Sequence, residues 1–209
     1  MENIFLFQII ILILSVVIHE VAHGYAALWM GDVTAKYAGR LTMNPVKHLD
    51  PIGSIFIPAI MVIFQAPFLI GWAKPVPYNP YNLKNLRWGE VVIAAAGPLS
   101  NILIAILTAI FVRVSFLLNL ELSSMFLNLA FIVILINLFL AFFNLIPVPP
   151  LDGSKILFNL FPRSLITVRR FLETYRFFII FIFLIFLLDL FAALITKLAV
   201  LLFPYILFL

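Results

Sequence analysis

The chain has 209 residues, of which 65% are hydrophobic and 11% charged, with a formal net charge of +4. A soluble domain carries about 25% charged residues and must keep a polar surface, so a soluble enzyme and a disordered tail are excluded. The 13 basic residues are scattered over short connectors instead of forming a stripe, which excludes a nucleic-acid-binding module. What remains is an all-α polytopic membrane protein.

In chain order, the first apolar stretch runs over 4–30. The residues before it lack the basic run of a signal peptide, so it reads as a retained membrane helix. A second stretch, 52–70, is broken by Pro58 and Pro67. A third covers 91–112 and a fourth 125–146. The last, 177–209, would be about 50 Å long as one helix, against a hydrocarbon core of about 30 Å. With Asp189 inside it, this tract predicts a C-terminal hydrophobic hairpin over 171–209 that turns near Asp189. The expectation is five to six membrane helices in a single domain, 1–209, whose core is 4–161.

Lys and Arg orient the map. Connector 31–51 carries Lys36, Arg40 and Lys47; connector 73–90 carries Lys74, Lys84 and Arg87. Connector 113–124 has Arg113 alone, and connector 147–176 has Lys155, Arg163, Arg169, Arg170 and Arg176. Leaving out Lys197, which lies inside the last apolar tract, the basic residues divide eight against four if 52–70 crosses the membrane once. If it enters and returns on one side, they divide eleven against one. The second map obeys the positive-inside rule, and the prolines suit a broken element buried in protein. The prediction is a multi-pass protein of the cell membrane with an extracytoplasmic N-terminus and three cytoplasmic basic connectors.

The chain has no cysteine, so a metal would have to be held by its three His or nine acidic residues. His19-Glu20-Val21-Ala22-His23 is an HExxH motif. On a helix, positions four apart share a face, so both imidazoles can grip one ion while Glu20 reaches a water beside it. Ionisable residues inside an apolar span are costly and are by default functional. Tetrahedral zinc with an open position needs a third protein ligand. Asp152 is the best candidate, because Pro147, Pro149 and Pro150 end the fourth helix and force extended backbone that aims the carboxylate. The re-entrant map also brings HExxH and Asp152 to the same side of the membrane. His48 is another possible ligand, but its turn-rich connector favours capping.

HEVAH in an apolar helix, together with Asn144 to Gly153 in an N-x-x-P-x-P-x-L-D-G pattern, resembles the site-2 protease family of intramembrane zinc metalloproteases. The segments Gly31-Asp32-Val33-Thr34-Ala35-Lys36, Gly71-Trp72-Ala73-Lys74-Pro75-Val76-Pro77 and Ala96-Gly97-Pro98-Leu99-Ser100-Asn101 resemble its short bacterial members, which carry no PDZ or CBS domain. The resemblance implies that His19, His23 and Asp152 bind one Zn2+ per chain. It implies that Glu20 is the catalytic acid and base, and that Asn144 steadies the oxyanion. Asn101, beside the helix-loosening Gly97-Pro98 pair, reads as structural before catalytic. The resemblance also implies a single-span membrane protein as substrate, held extended by an enzyme strand among membrane lipid. Short extended segments near 34–42 and 72–79 are the candidates, with Thr34, Tyr37, Gly39, Trp72 and Lys74 as contacts.

Two other readings compete. A zinc transporter needs polar residues spaced through the bilayer, whereas here the ionisable cluster sits at one depth. An inactive scaffold would have no reason to keep HExxH and Asp152 intact.

Overall fold

The computed structural model describes residues 2–64, 71–161 and 164–203. Its helices in chain order are α1 (Glu2–Trp29), α2 (Thr34–Tyr37), α3 (Ile57–Ile63), α4 (Leu86–Leu117), α5 (Ser124–Asn144), α6 (Asp152–Leu160), α7 (Ile166–Ile182) and α8 (Leu188–Leu202). Four helical paths are long and apolar enough to cross a membrane: Leu6–Trp29, Leu86–Leu117, Ser124–Asn144 and Ile166–Leu202.

Local signals start these helices where polar caps stand. Asn85 accepts from the Trp88 N–H at 3.0 Å at the head of α4, and Ser123 accepts from the Phe126 N–H at 3.2 Å at the head of α5. Outward faces carry Leu6, Ile10 and Leu14 on α1, Leu103, Leu107 and Phe111 on α4, and Phe178 and Phe181 on α7. Such a belt is stable only against lipid. Inward, α4 packs against α1, α5 and α6, and α5 packs against α8. Ala105, Val112, Ala130, Ile134, Leu138, Ile195, Ala199 and Phe203 form the main apolar core. Its alanines let helix axes approach closely, as association within lipid requires.

The ends of the bundle are tied by hydrogen bonds. The Lys84 N–H donates to the Met30 carbonyl at 3.0 Å, and Arg87 Nε donates to the Asn159 carbonyl at 2.8 Å. The C-terminal end of α1, the N-terminal end of α4 and helix α6 therefore share one end, and the connector 118–123 lies at the other.

Three expectations are corrected. Residues 34–42 are not a strand: Thr34–Tyr37 is helical and turns follow, because Asp32 captures the Thr34 N–H and hydroxyl and starts a helical turn instead. Residues 72–79 have no regular structure, and no strand occurs among the described residues. The Lys74 N–H goes to the His48 carbonyl and the Val76 N–H to a side chain, so no ladder forms. The C-terminal hairpin is also absent. The path from Ile166 to Leu202 is continuously helical, with a π-helical segment Phe183–Leu187 where the turn near Asp189 was expected. A single acidic residue with no Gly or Pro beside it does not break a helix. At 37 residues this path is about 55 Å long, more than a hydrocarbon core of about 30 Å, and its first turns carry Arg169, Arg170 and Arg176.

Of the segment 52–70, Pro51–Phe56 is a π-helical turn that leads into α3; Pro67 lies outside the described residues. The Trp72 N–H donates to the Gly53 carbonyl at 3.2 Å, and Ser54 Oγ donates to the Trp72 carbonyl at 2.8 Å.

Asp32 fastens the 71–85 connector to the end of α1. It is fully buried. Its Oδ1 accepts from the Thr34 N–H, the Thr34 hydroxyl and Asn82 Nδ2 at 3.1, 2.6 and 2.8 Å, and its Oδ2 accepts from the Asn79 N–H at 2.7 Å. Burial raises the carboxyl pKa, but these donors outweigh it and hold the group below the ordinary carboxylate value. Asp32→Ala should destabilise the protein by about 3 kcal/mol, because the donors lose a charged acceptor inside protein. Thermal unfolding in detergent, followed by tryptophan fluorescence, measures this. A loss under about 0.5 kcal/mol, the range of neutral surface changes, would refute the fastening role.

Candidate metal centre and active-site cavity

Four elements bring the polar residues together. His19 and His23 lie one turn apart on α1, and Asp152 opens α6. Gly153 lets α6 begin against the end of α5, since a Cβ there would overlap the Leu145 carbonyl. Helix α4 supplies the opposite wall. A Cβ on Gly97 would stand 2.5 Å from Nε2 of both His19 and His23, so only glycine leaves room for the two rings.

His19 Nε2 lies 3.2 Å from Asp152 Oδ2, His23 Nε2 lies 3.1 Å from the same oxygen, and the two Nε2 atoms are 3.0 Å apart. The opposite ring nitrogens are committed elsewhere. His23 Nδ1 donates to the Ile93 backbone carbonyl at 2.6 Å, and His19 Nδ1 donates to Asn101 Oδ1 at 2.6 Å. A carbonyl oxygen can only accept, so a neutral imidazole carries its proton on Nδ1 and points the Nε2 lone pair inward. Three lone pairs then converge on one point, which is unfavourable unless a cation lies between them. Ligand atoms of a tetrahedral zinc site, at about 2.0–2.1 Å from the ion, are about 3.3 Å apart. The observed triangle fits that spacing, and the Nδ1 acceptors form the outer hydrogen bonds that metal-binding histidines use.

Lys155, one turn along α6, places Nζ 3.4 Å from Asp152 Oδ1, so each carboxylate oxygen faces a different partner.

These groups line a cavity of about 150 Å³ with Glu20, Pro75, Val76, Tyr78, Ile93, Asn144 and Pro150. Glu20 Oε2 accepts from the Val76 N–H at 2.9 Å. Asn144 lines the cavity, but one of its amide hydrogens goes to the Leu140 carbonyl at 2.9 Å, one helical turn back. The Lys155 ammonium stands 5.9 Å from the Tyr78 ring centre, across the rim.

The Bacillus subtilis (strain 168) protein YwhC, named as a candidate zinc metalloprotease, is 41% identical to this chain over 160 residues, 75% of this chain and 69% of its own length. A family model described as Peptidase family M50 matches residues 119–187, which include Asn144 and Asp152. The chain belongs to peptidase family M50. Rip2 of Mycolicibacterium smegmatis, given the same description, is 28% identical over 95 residues, 46% of this chain and 35% of its own. Rip2 of Mycobacterium tuberculosis (strain H37Rv) is 27% identical over 141 residues, 68% of this chain and 52% of its own. No solved structure matches the chain.

In this M50 peptidase, His19, Glu20, His23, Asn144 and Asp152 line one cavity. His48 does not join them. It is buried, and its Nε2 donates to the Thr42 carbonyl at 2.9 Å, the turn bond expected of it. Thr34, Tyr37, Gly39, Trp72 and Lys74 are not among the cavity's lining residues. Thr34 donates to Asp32 Oδ1, Tyr37 is exposed, Gly39 has φ of 63° with open space around it, and Trp72 lies against Gly53. The Lys74 carbonyl accepts from Arg40 Nη2 at 2.6 Å. The neighbourhood 72–79 is nonetheless at the site, through Pro75, Val76 and Tyr78.

Sequence reasoning missed Lys155, Tyr78, the packing role of Gly97 and the bond from His19 to Asn101. A usable signal for the last two was present. Gly97 and Asn101 stand four apart on α4, as His19 and His23 do on α1, so each pair offers one helical face to the other. Gly97→Ala tests this packing. Alanine favours the helix by about 1 kcal/mol, so the variant should fold, while its methyl group forces the imidazoles apart. Zinc affinity, measured by competition with a chromogenic chelator, should fall at least about tenfold, the scale of second-shell defects. Unchanged affinity would show that the rings do not need the space.

Proposed function

We propose that this M50 peptidase is an intramembrane zinc metalloprotease that cuts peptide bonds within or near transmembrane segments of single-span membrane proteins. The observation that carries the reading is the meeting of His19 Nε2, His23 Nε2 and Asp152 Oδ2 within a bundle of membrane-length helices, with Glu20 in the same cavity. His19 lies about 15 Å along α1 from its Trp29 end, so the reacting bond must enter the membrane zone. The names of YwhC and Rip2 support zinc as the ion.

Zinc, when bound, supplies a Lewis acid that polarises a carbonyl and acidifies water. His19, His23 and Asp152 would supply its three protein ligands. Glu20 takes the proton of the attacking water and returns it to the leaving amine. The Val76 N–H holds one Glu20 oxygen, which leaves the other for that proton. Asn144 has one amide hydrogen left after its bond to Leu140, and this hydrogen donates to the developing oxyanion. A substrate helix must unwind before its carbonyl can be attacked. The irregular stretch from Pro75 to Tyr78 is the wall along which the unwound strand lies.

Glu20→Gln should keep zinc within about twofold and lower peptide cleavage by roughly 10²–10⁴, the worth of a general acid–base. In cells carrying this variant, transmembrane fragments of the natural substrate should accumulate. Cleavage at the wild-type rate would remove Glu20 from the mechanism.

The side of the membrane is proposed from charge. With 52–70 returning to the side it left, the basic connectors face the cytoplasm and the N-terminus faces out. The bonds from Trp72 to Gly53 and Ser54 support this return. Because the chain has no cysteine, Lys47→Cys and Glu121→Cys each create a single reporter. An impermeant maleimide added to intact cells should label the Glu121 variant and leave the Lys47 variant unlabelled. The opposite pattern would invert the topology.

A further inference from the structure

The most completely fixed polar cluster lies on the far side of His19 from the cavity. It joins three helices through Ser15 on α1, Asn101 on α4 and Asn137 on α5, all buried. Two backbone carbonyls, which can only accept, orient it. Asn101 Nδ2 reaches the Ser15 carbonyl at 3.3 Å, and Asn137 Nδ2 reaches the Val133 carbonyl at 2.9 Å. Each amide nitrogen is thereby identified, since turning either amide over would press oxygen against oxygen. Asn137 Nδ2 also donates to Ser15 Oγ at 2.9 Å, and Asn137 Oδ1 accepts from Asn101 Nδ2 at 2.8 Å. The Asn101 oxygen is then turned toward His19 Nδ1 at 2.6 Å.

We infer that Asn137 is a positioning residue that sets the tautomer of His19 through Asn101, and so keeps the His19 Nε2 lone pair aimed at the metal centre. Asn137 is absent from the cavity lining, so it acts only through Asn101. Without the Asn137 oxygen, Asn101 Nδ2 keeps only its longer bond to Ser15. Turning Asn101 over then costs less. A turned Asn101 presents N–H to His19 Nδ1, drives the ring proton to Nε2 and blocks one of three converging lone pairs. A plain interhelical hydrogen bond would stabilise the bundle but would have no reason to affect metal affinity.

The inference rests on the metal reading of the site. Its test uses the full chain in detergent and Zn2+ alone as probe, with affinity read by chelator competition. Asn137→Ala should weaken Zn2+ binding about tenfold, at the low end of the range for outer-shell residues. Asn101→Ala should weaken it at least as much, and the double variant should be no weaker than Asn101→Ala alone. Asn137→Ala affinity within twofold of wild type, or penalties that multiply in the double variant, would overturn the inference. Nitrogen NMR of ¹⁵N-histidine-labelled, zinc-free wild type at pH 8 gives a readout that needs no variant. His19 should carry its proton on Nδ1, and a proton on Nε2 alone overturns the inference even if no variant folds. If wild type binds no zinc at all, the proposed function fails while the NMR result still decides the His19 tautomer.

Discussion

Three lone pairs directed at one point inside an apolar bundle are the constraint on which the rest of this structure turns. Neutral His19 and His23 and ionised Asp152 repel one another at separations near 3 Å unless positive charge lies between them. Water cannot easily screen that repulsion so deep in the fold. The protein therefore holds the groups together by bonds made elsewhere. The two Nδ1–H groups are fixed by carbonyl oxygens on α4, Asp152 Oδ1 is drawn toward Lys155, and Gly97 removes the methyl group that would push the rings apart. Each of these contacts is unremarkable alone. Together they hold three ligand atoms at the spacing that a bound metal ion would use.

The same contacts hold the bundle together. Lipid tails are as apolar as leucine, so burying leucine between two membrane helices gains little, and close packing and interhelical hydrogen bonds must associate them. The apolar core between α4, α5 and α8 meets that need with alanines. Around α1 the need is met by polar atoms: Ser15, Asn101 and Asn137 tie α1, α4 and α5, and His23 ties α1 to α4 again. Helix packing and metal geometry are thus supported by one set of bonds.

What could be read from the sequence follows the range of the forces involved. HExxH was legible because helical periodicity alone puts His19 and His23 on one face. Asp152 was legible because three prolines next to it exclude a continuing helix. The charges of the connectors carry the proposed orientation, since the bilayer imposes one rule on all of them. Asn137 was not legible: in the run Leu135-Ile136-Asn137-Leu138 it is one polar residue in an apolar span, and only its neighbours on two other helices give it meaning. The strands near 34–42 and 72–79 failed for a similar reason. Val, Thr and Tyr suit a strand locally, but a strand needs a partner, and Asp32, Glu20 and the His48 carbonyl take the N–H groups that a ladder would use. The turn at Asp189 failed because the excess length over the hydrocarbon stays in one continuous helical path, whose first turns carry Arg169, Arg170 and Arg176.

The proposed metal ligands and the proposed general base have different supports. His19, His23 and Asp152 depend on α1, α4 and α6, whose mutual positions are set by buried packing. Glu20 shares helix α1 with the two histidines, but its carboxylate is oriented from outside the bundle, by the Val76 N–H. Val76 belongs to a stretch without regular structure. That stretch keeps its place through Arg40 on the Lys74 carbonyl, the Lys74 N–H on the His48 carbonyl, and Asp32 on the Asn79 N–H. Pro75, Val76 and Tyr78 of the same stretch also wall the cavity that a substrate must enter. This one connector therefore shapes the cavity wall and orients the Glu20 carboxylate together, while His19, His23 and Asp152 are placed by the helices.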